Sequence, residues 1–200
     1  MRCVLAVLLA AFLLSALAPA APVPTHLVPK SSPFEHPTAI GTKWVYDDLN
    51  EEVTHVITAV KEEKRGAKVI TVSSVNTNGT MSFAYKLRIS ERGWHEVAWA
   101  NVSKRAPIPK IKFPIDCEHE WEYRGPHYQW ASTQVPKTGL VKVPAGTFKA
   151  MKVVDTEDTP NGFKVHEERW YASGVGLVQI GGNWPSRTLK SFTPGDGKKP

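Results

Sequence analysis

Short runs of alternating apolar and polar residues, separated by turn residues, constrain the fold of this chain more than any other feature. In residues 81–90 every second side chain is apolar, namely Met81, Phe83, Tyr85, Leu87 and Ile89. This period of two places the apolar side chains on one face of an extended strand. Similar runs, rich in β-branched and aromatic residues, recur with turn residues roughly every 8 to 12 positions, a spacing typical of short antiparallel strands.

No window of the sequence shows the period of an amphipathic helix. We therefore predict an all-β fold, an antiparallel curved sheet that forms a half-barrel or a sandwich of about 10–12 strands. The roughly 160 residues that follow the N-terminal region are enough for a single domain with a sizeable core.

A faint internal repeat predicts that the sheet has two related halves. Three features occur twice: a W-x-Y pattern at 44–46 and 121–123, an N-G turn at 77–79 and 160–162, and a glycine at 93 and 176. The separation is 77 residues for the first pair and 83 residues for the other two. We expect residues 104–114, KRAPIPKIKFP, to join the halves. Chance similarity between β-rich segments is the alternative.

The segment LVKVPAGTFKAMKVV, residues 140–154, predicts a hairpin. Pro144 and Gly146 occupy the second and fourth positions of a four-residue turn, which suits a type I turn followed by a bulge. We therefore expect a three-residue loop with Gly146 at positive φ. The apolar phase changes between Ala150 and Met151, which predicts either a bulge in this strand or burial on both of its faces.

The N-terminal segment has the pattern of a secretory signal peptide. Arg2 precedes an apolar run that ends at Leu17, and residues 18–20, Ala-Pro-Ala, form a small-residue cleavage site. The run is short for a membrane-spanning helix, and an uncleaved anchor is the alternative. We expect a signal peptide at residues 1–20, a Pro-rich linker at 21–39, a single β domain at 40–193 and a flexible tail at 194–200.

Export and charge limit the classes of function. After signal removal Cys117 is the only cysteine, so the domain must be held together by its core and not by an internal disulfide. The net charge of +6 comes from scattered basic residues, which indicates solubility, with weak attraction to anionic surfaces as the alternative. We expect a secreted or periplasmic protein with no nucleic-acid partner and no membrane span after signal removal.

Four motifs occur in an order that is known from other sequences. They are the W-x-Y strand opener, a second W-x-Y after a Pro-rich middle, VPAGTF at 143–148 and WYASGVGLV at 170–178. In these motifs the chain resembles a family of exported bacterial proteins of unknown function, although Ser173 stands where the family more often has Pro. The resemblance implies an envelope-located β protein, similar in some relatives to half-barrels that carry lipoproteins, and it implies no catalytic residues.

The sequence CEHEW, residues 117–121, is the most suggestive cluster for chemistry. On a strand, Cys117 and His119 share a face, and a thiolate and an imidazole can both bind zinc. A closed zinc site needs four ligands, which the His-Glu-Glu run at 166–168 would have to complete. A thiol nucleophile would need another base, because same-face neighbours on a strand lie about 7 Å apart. We expect instead that Cys117 packs as a small hydrophobe, and that the protein holds neither a metal nor another cofactor.

Tryptophans are the remaining candidates for ligand binding, and the chain has seven of them. Trp94 and Trp99 lie on opposite faces of one predicted strand, so at least one of them faces outward or into a cavity. Exposed tryptophans on a β surface can stack on sugars or contact acyl chains. We therefore predict Trp94, Trp99 and Trp121 as ligand-binding residues for a lipid-like or glycan ligand. The alternative is that the rings fill the core.

The sequence contains no G-x-S-x-G, P-loop or dinucleotide-binding motif. The patterns favour an exported non-catalytic β domain that binds an apolar or envelope-derived ligand. Two other functions stay open, an exported hydrolase with an unrecognised His/Glu site and a surface interaction module. Converging His and Glu side chains in a polar pocket would indicate the hydrolase. A deep dry cavity would indicate the ligand-binding domain, and a flat surface would indicate the interaction module.

Overall fold

The computed structural model describes residues 34–99, 102–115, 117–124, 129–158, 164–182 and 187–197. The predicted signal peptide and residues 21–33 of the predicted linker lie outside the described residues. Residues 31–200 belong to one compact unit.

The described part of that unit consists of twelve strands and one 3-10 turn. The strands are β1 Lys43–Asp48, β2 Glu51–Glu62, β3 Lys68–Val75, β4 Met81–Ser90, β5 Gly93–Trp99, β6 Val102–Lys112, β7 His119–Arg124, β8 Gln129–Val143, β9 Gly146–Asp158, β10 Lys164–Ala172, β11 Gly176–Gly182 and β12 Arg187–Thr193. The 3-10 turn, Lys64–Gly66, lies between β2 and β3. None of the helical structure in the described ranges is long and apolar enough to cross a membrane.

All twelve strands belong to one sheet, in the order β6-β5-β4-β3-β2-β1-β12-β11-β10-β9-β8-β7. Neighbouring strands in this order that share a ladder run antiparallel. The chain therefore folds as two six-stranded meanders, which we call the first half (β1–β6) and the second half (β7–β12). The halves meet where β1 pairs with β12, and β6 and β7 are the edge strands.

The predicted all-β curved sheet is confirmed, and the single sheet selects the half-barrel over the sandwich. The repeated sequence features correspond strand for strand. The two W-x-Y patterns lie in β1 and β7, the first strand of each half, and Gly93 and Gly176 each begin the fifth strand. The first N-G turn connects β3 to β4, while residues 159–163 around the second lie outside the described residues.

The segment between the halves differs from the prediction. Residues 104–112 of the predicted connection belong to strand β6, which pairs with β5 at both of its ends, Val102 and Lys112, with two register shifts between them. The halves are joined instead by residues 113–118. The prolines at 107 and 109 misled the prediction, because proline is tolerated in an edge strand, where one side of the backbone needs no ladder partner.

One apolar core packs against the concave face of the sheet. Its largest fully buried side chains are Trp44, Trp94, Ile57, Ile70, Ile108, Ile111, Met151, Leu189, Gln134, Val72, Val153 and Val178. The core cluster contains Ile111 from edge strand β6 and Trp121 from edge strand β7. Because both edges contribute to one cluster, the sheet must curve around it.

A buried glutamine connects the two edges of the curved sheet. Gln134 on β8 is fully buried, and its Nε2 donates to the carbonyl of Lys112 at 2.8 Å. Its Oε1 accepts from the Lys112 backbone N–H, also at 2.8 Å. The side-chain amide thereby satisfies both backbone groups of an edge residue that has no ladder partner on that side.

The predicted hairpin is present, but its loop is one residue shorter than expected. Val143 pairs directly with Gly146, so Pro144 and Ala145 form a two-residue loop. Gly146 has φ of 138°, as predicted. Ala150 and Met151 are both fully buried, so this strand is buried on both faces. The bulge lies in the partner strand, where the register shifts between Val135 and Thr138.

The packed chain begins before the first strand. Phe34, which falls within the predicted linker, is 5% exposed and belongs to the core. In the predicted tail, the backbone N–H of Gly195 donates to Thr42 Oγ1 at 3.1 Å, and that of Gly197 donates to the carbonyl of Ile40 at 3.1 Å. Both flanking segments therefore contact the residues that lead into β1.

Candidate functional site

The three predicted ligand-binding tryptophans occupy three different environments. Trp94 on β5 is 1% exposed, whereas Trp99 at the end of the same strand is 56% exposed. This confirms that the two rings face opposite ways. Trp121 on edge strand β7 is buried, and Lys112 Nζ lies 5.1 Å from the centroid of its ring. The structure does not bring the three rings together, and ligand binding by them stays a prediction.

Trp94 is the centre of an aromatic cluster on the concave face. Phe34 stacks on it with ring centroids 5.3 Å apart, and His36 meets it edge-on at 4.8 Å. Tyr171 of β10 contacts its other side at 5.9 Å, also edge-on. Trp44 of β1 completes the group with a tilted contact to His36 at 6.0 Å. We call Trp44, Trp94 and Tyr171, with Gly176 beneath His36, the aromatic slot.

The turn between β10 and β11 forms one wall of the slot and is held from below by side chains of β1. Trp44 Nε1 donates to the carbonyl of Val175 at 2.7 Å, and the Tyr46 hydroxyl donates to the carbonyl of Leu177 at 3.0 Å. The turn needs positive φ at Gly174 and Gly176, 74° and 92°. These contacts fix the turn, so Trp44 and Tyr46 of β1 hold this wall of the slot in place.

Two residues further along the same strands, the concave face carries charged side chains in place of aromatic ones. Glu96 follows Trp94 on β5, and Arg169 precedes Tyr171 on β10. Lys110 Nζ pairs with Glu96 Oε2 at 3.2 Å. The members of this ionic cluster are Glu96, Lys110, Asp155, Glu167 and Arg169.

Arg169 bridges two carboxylates within the ionic cluster. Its Nε lies 2.5 Å from Glu167 Oε1, and its Nη1 contacts Asp155 Oδ2. The hydroxyl of Ser132, a buried residue on β8, donates to the other Asp155 oxygen at 2.5 Å. All three charged groups are mostly buried, and each carboxylate contacts the one guanidinium, which offsets part of the cost of burying them.

The pKa directions show how closely this cluster is coupled. Burial lowers the pKa of Lys110, the charge of Arg169 lowers it further, and Glu96 opposes both. Burial also acts to lower the pKa of Arg169, but the negative charge of Asp155 and other neighbours raises it overall. Burial raises the pKa of Tyr171, which therefore stays protonated at neutral pH. The cluster is a set of paired charges whose pKa values depend on one another.

A second buried group lies between the aromatic slot and the turn that connects β1 to β2. His55 sits between Tyr46 and Tyr85, with ring centroids 5.7 Å and 5.8 Å away and both contacts edge-on. Burial lowers the pKa of His55 to about 4, and the Arg187 guanidinium adds to this effect. The imidazole is therefore neutral at pH 7, and as a base it is too weak for efficient proton abstraction there.

The described residues of the CEHEW run do not form the zinc site or the thiol active site that the sequence suggested. The prediction that Cys117 is a packed small hydrophobe is wrong, because Cys117 is exposed and precedes the start of β7 at His119. The strand alternation begins only at His119, whose Nε2 lies 2.8 Å from the carbonyl of Pro114. Because Cys117 lies outside the strand, the alternation of side chains along β7 does not place its thiol over the core, and the prediction that assumed this alternation was wrong.

The run at 166–168 lies on β10 and does not join Cys117. His166 is half-exposed, and its Nε2 lies 3.8 Å from Glu168 Oε1. Lys152 Nζ holds that same Glu168 oxygen at 2.9 Å and lowers the pKa of the carboxyl. Across the described ranges, no three His, Cys, Asp or Glu side chains are grouped so as to hold a metal ion.

An open depression of about 300 Å³ lies at the edge of the sheet beside Trp121. Its lining comes from β7 and β8: Glu120, Trp121, Glu122, Ala131, Ser132 and Thr133. It is shallow and acidic, and it does not extend to the aromatic slot residues.

Sequence reasoning identified Trp94 but missed the rest of the slot and the ionic cluster. Trp44 lies in the repeated W-x-Y pattern and Tyr171 in the WYASGVGLV motif, and the tertiary structure alone brings them to Trp94. The ionic cluster had one usable signal, since Glu96 and Asp155 share a strand face with buried apolar residues, Trp94 and Val153. A charge at such a position predicts either a buried partner or a functional group.

Comparisons with known proteins bear on the fold. No protein-family model matches the chain, and no curated protein matches it significantly. The chain is similar to the crystal structure of a candidate lipoprotein from Parabacteroides distasonis ATCC 8503, with a TM-score of 0.51 and 17% identity over 82% of this chain and 100% of that chain. A candidate exported protein with a YmcC-like fold from Bacteroides fragilis NCTC 9343 has a TM-score of 0.47 and 13% identity over 80% of this chain and 99% of that chain. At such identities the first similarity shows a shared fold and no more.

Proposed function

We propose that this chain is an exported, non-catalytic β domain of the cell envelope that binds an apolar or envelope-derived ligand. The observation that carries the proposal is the aromatic slot, in which Trp44, Trp94 and Tyr171 from three separated strands converge on one place of the concave face. Converging rings on rigid strands provide a large apolar contact area at low entropic cost.

Export rests on two independent supports. The N-terminal segment has the charge, apolar run and small-residue site of a secretory signal. The structure from Parabacteroides distasonis that shares the fold is described as a candidate lipoprotein. A location in the envelope would expose this domain to acyl chains and glycans, the two ligand classes that aromatic surfaces bind well.

The non-catalytic part of the proposal rests on how the ionisable groups are engaged. The charged side chains of the concave face pair with one another, as Lys110 does with Glu96 and Arg169 with Asp155 and Glu167. His55 lies between tyrosine rings and has a pKa of about 4. Groups that neutralise each other hold a fold together, whereas a general base needs a pKa near the working pH. These features weigh against the hydrolase alternative.

Native mass spectrometry of protein purified from the envelope of its own cells tests the function. We expect a species heavier than the mature chain by the mass of a lipid-like or glycan molecule, and we expect this species to disappear after denaturation and refolding. The variants are Trp94→Leu in the slot and, as the control, Leu140→Ala at an exposed position of β8. Trp94→Leu should lose the bound species and Leu140→Ala should keep it. A bare chain from the envelope would contradict the proposal.

A further inference from the structure

The aromatic slot is occupied by a segment of the chain itself. Phe34, Glu35 and His36, which we call the strap, precede the first strand and form no part of the sheet. Phe34 stacks on Trp94, and His36 lies against Trp44 and Trp94. A Cβ on Gly176 would approach His36 Nε2 to 3.1 Å, so the imidazole rests directly on the glycine backbone.

The strap is bound by the contacts that proteins use to recognise extended peptides. The Glu35 backbone N–H donates to Ser173 Oγ at 2.9 Å, and the Glu35 carbonyl accepts from the backbone N–H of Gly174 at 2.7 Å. The side chains on either side of Glu35 enter the slot. Main-chain bonds that supply affinity and flanking pockets that supply specificity are the two components of peptide recognition on β proteins.

The strap is connected to the sheet by a short segment with a firmly anchored base. The backbone N–H of Gly41 donates to the carbonyl of Ile57 at 2.9 Å, and the N–H of Ile57 donates to the carbonyl of Thr42 at 2.9 Å. Thr42 Oγ1 also donates to the carbonyl of Ala39 at 2.7 Å. Only residues 37–38 separate this base from the strap, so release of the strap would break none of the hydrogen bonds that anchor residues 39–42.

The strap does not satisfy every polar group of the slot. Trp94 Nε1 is buried and has no hydrogen-bond partner among the described residues. A buried donor without an acceptor costs free energy. An occupant that carried an acceptor to this atom would therefore bind better than the strap does.

We propose that the slot is a peptide-recognition site for an extended segment of another exported protein, and that the strap is its built-in competitor. The recognised segment carries an aromatic side chain in the place of Phe34 and a main-chain N–H and C=O in the place of those of Glu35. This rests on the proposed function, since it names the ligand class of the same slot. Tethering gives the strap a high effective concentration, so a partner segment must outcompete it.

A peptide of residues 32–38, SPFEHPT, acetylated and amidated at its ends, is the probe. It is titrated into full-length wild type and into Phe34→Ala, and tryptophan fluorescence and calorimetry report binding. Removing the ring weakens the competitor but leaves the slot intact, so Phe34→Ala should bind the probe at least ten-fold more tightly than wild type. The peptide SPAEHPT should bind Phe34→Ala at least ten-fold more weakly than the probe.

Two second-site variants in the Phe34→Ala background localise the binding. Ser173→Ala removes the acceptor for the peptide N–H and should weaken binding several-fold, whereas Leu140→Ala, at an exposed position of β8 outside the slot, should leave binding unchanged. Circular dichroism confirms folding, and His36→Ala replaces Phe34→Ala as the weakened competitor should the latter unfold.

Equal affinities in wild type and in both weakened-strap variants would overturn the inference, as would equal binding of the two peptides. Dimers of wild type with exchanged straps would also overturn it, because the occupant would then be a second copy. A lipid found by native mass spectrometry without any peptide binding would leave the proposed function standing and overturn only this inference.

Discussion

The two halves of the sheet share one topology but bury different chemistry. The first half buries aliphatic side chains such as Ile57, Ile70 and Val72, and it also buries His55 and Ser73. The second half buries Ser132, Gln134 and Asp155, and Asp155 pairs with Arg169. The ionic cluster draws on both halves, since Glu96 and Lys110 belong to the first. A repeated meander therefore requires the same alternation and the same turns in each half, but not the same interior, provided that each buried polar group has a partner.

The first strands of the two halves also differ in their position in the sheet. The first strand of the first half, β1, is central and has ladder partners on both sides. The first strand of the second half, β7, is an edge that pairs only with β8. Equivalent residues of the repeat should therefore differ in their contribution to stability, and the following substitutions measure that difference.

The largest effect is expected at the repeated tryptophans. Trp44→Ala removes a ring that is 2% exposed and breaks its bond to Val175, and it should lower the free energy of unfolding by about 4 kcal/mol. Trp121→Ala, on the edge strand, should cost about 2 kcal/mol, because its Nε1 has no partner to lose among the described residues. Urea unfolding measures both, and equal losses would contradict the distinction between central and edge strands.

The repeated glycines give the next comparison. A Cβ on Gly93 would lie 2.0 Å from the carbonyl oxygen of Ile111, and φ is 124°. A Cβ on Gly176 meets only the His36 ring, at 3.1 Å. Gly93→Ala should therefore destabilise by about 3 kcal/mol, because backbone must move. Gly176→Ala should cost about 1.5 kcal/mol, with φ of 92° as the main cause.

Thermal or urea unfolding of the two alanine variants decides between these values. A smaller loss for Gly93→Ala than for Gly176→Ala would mean that β5 and β6 approach each other less closely than described. Tryptophan fluorescence should also change in Gly176→Ala, since the displaced imidazole contacts Trp44 and Trp94.

His55 in the first half should contribute to acid sensitivity, together with His36 and His95, whose pKa values are also lowered by burial. The pKa of His55 is about 4 in the folded protein against an ordinary value of 6.5, so the unfolded chain binds more protons between these values. Stability is therefore lost as pH falls from about 6.5 towards 4. We expect a loss of about 2 kcal/mol from this residue between pH 7 and pH 4.

His55→Gln removes the titrating group and should reduce that pH-dependent loss. Urea unfolding of wild type and variant at a series of pH values measures it. Parallel pH profiles for the two proteins would show that His55 is protonated in the folded state as readily as in the unfolded chain.

The smallest effect is expected at the second turn of each half. Gly146 in the β8–β9 turn has φ of 138°, whereas Gly66 in the β2–β3 turn has φ of 72°. Asparagine tolerates the left-handed region near the second value but not the first. Gly146→Asn should cost about 1 kcal/mol and Gly66→Asn less than about 0.5 kcal/mol, as measured by urea midpoints. Nothing within 3.4 Å crowds a Cβ at either site, so a reversed order would mean that the turn geometries differ from those described.

Local patterns predicted much of the fold. The period of two in strands such as β4 predicted the all-β class, and turn residues predicted the hairpin at Pro144 and Ala145. The repeated W-x-Y patterns and glycines predicted the two halves. Such features depend on neighbours within a few residues, so they can be read from the chain itself.

The sequence-based predictions failed for residues whose surroundings are formed by residues distant in the sequence. Cys117 lies just outside a strand, so its apolar neighbours in sequence did not predict its exposure. The prolines of β6 suggested a connection, although an edge position makes them compatible with a strand. Phe34 was assigned to a linker because its own segment has no period, yet Trp94, sixty residues later in the chain, buries it.

The sequence by itself determined that this protein is an antiparallel β domain with two related halves, because alternation and turn chemistry are local properties of the backbone and its side chains. Only the tertiary structure decided that the domain has an aromatic slot and an ionic cluster. Trp44, Trp94 and Tyr171 come from strands β1, β5 and β10, and Asp155 meets Arg169 across the β9–β10 ladder. Curvature of one sheet brings such residues together, and curvature depends on the packing of all twelve strands around a shared core, a property that no short window of sequence contains.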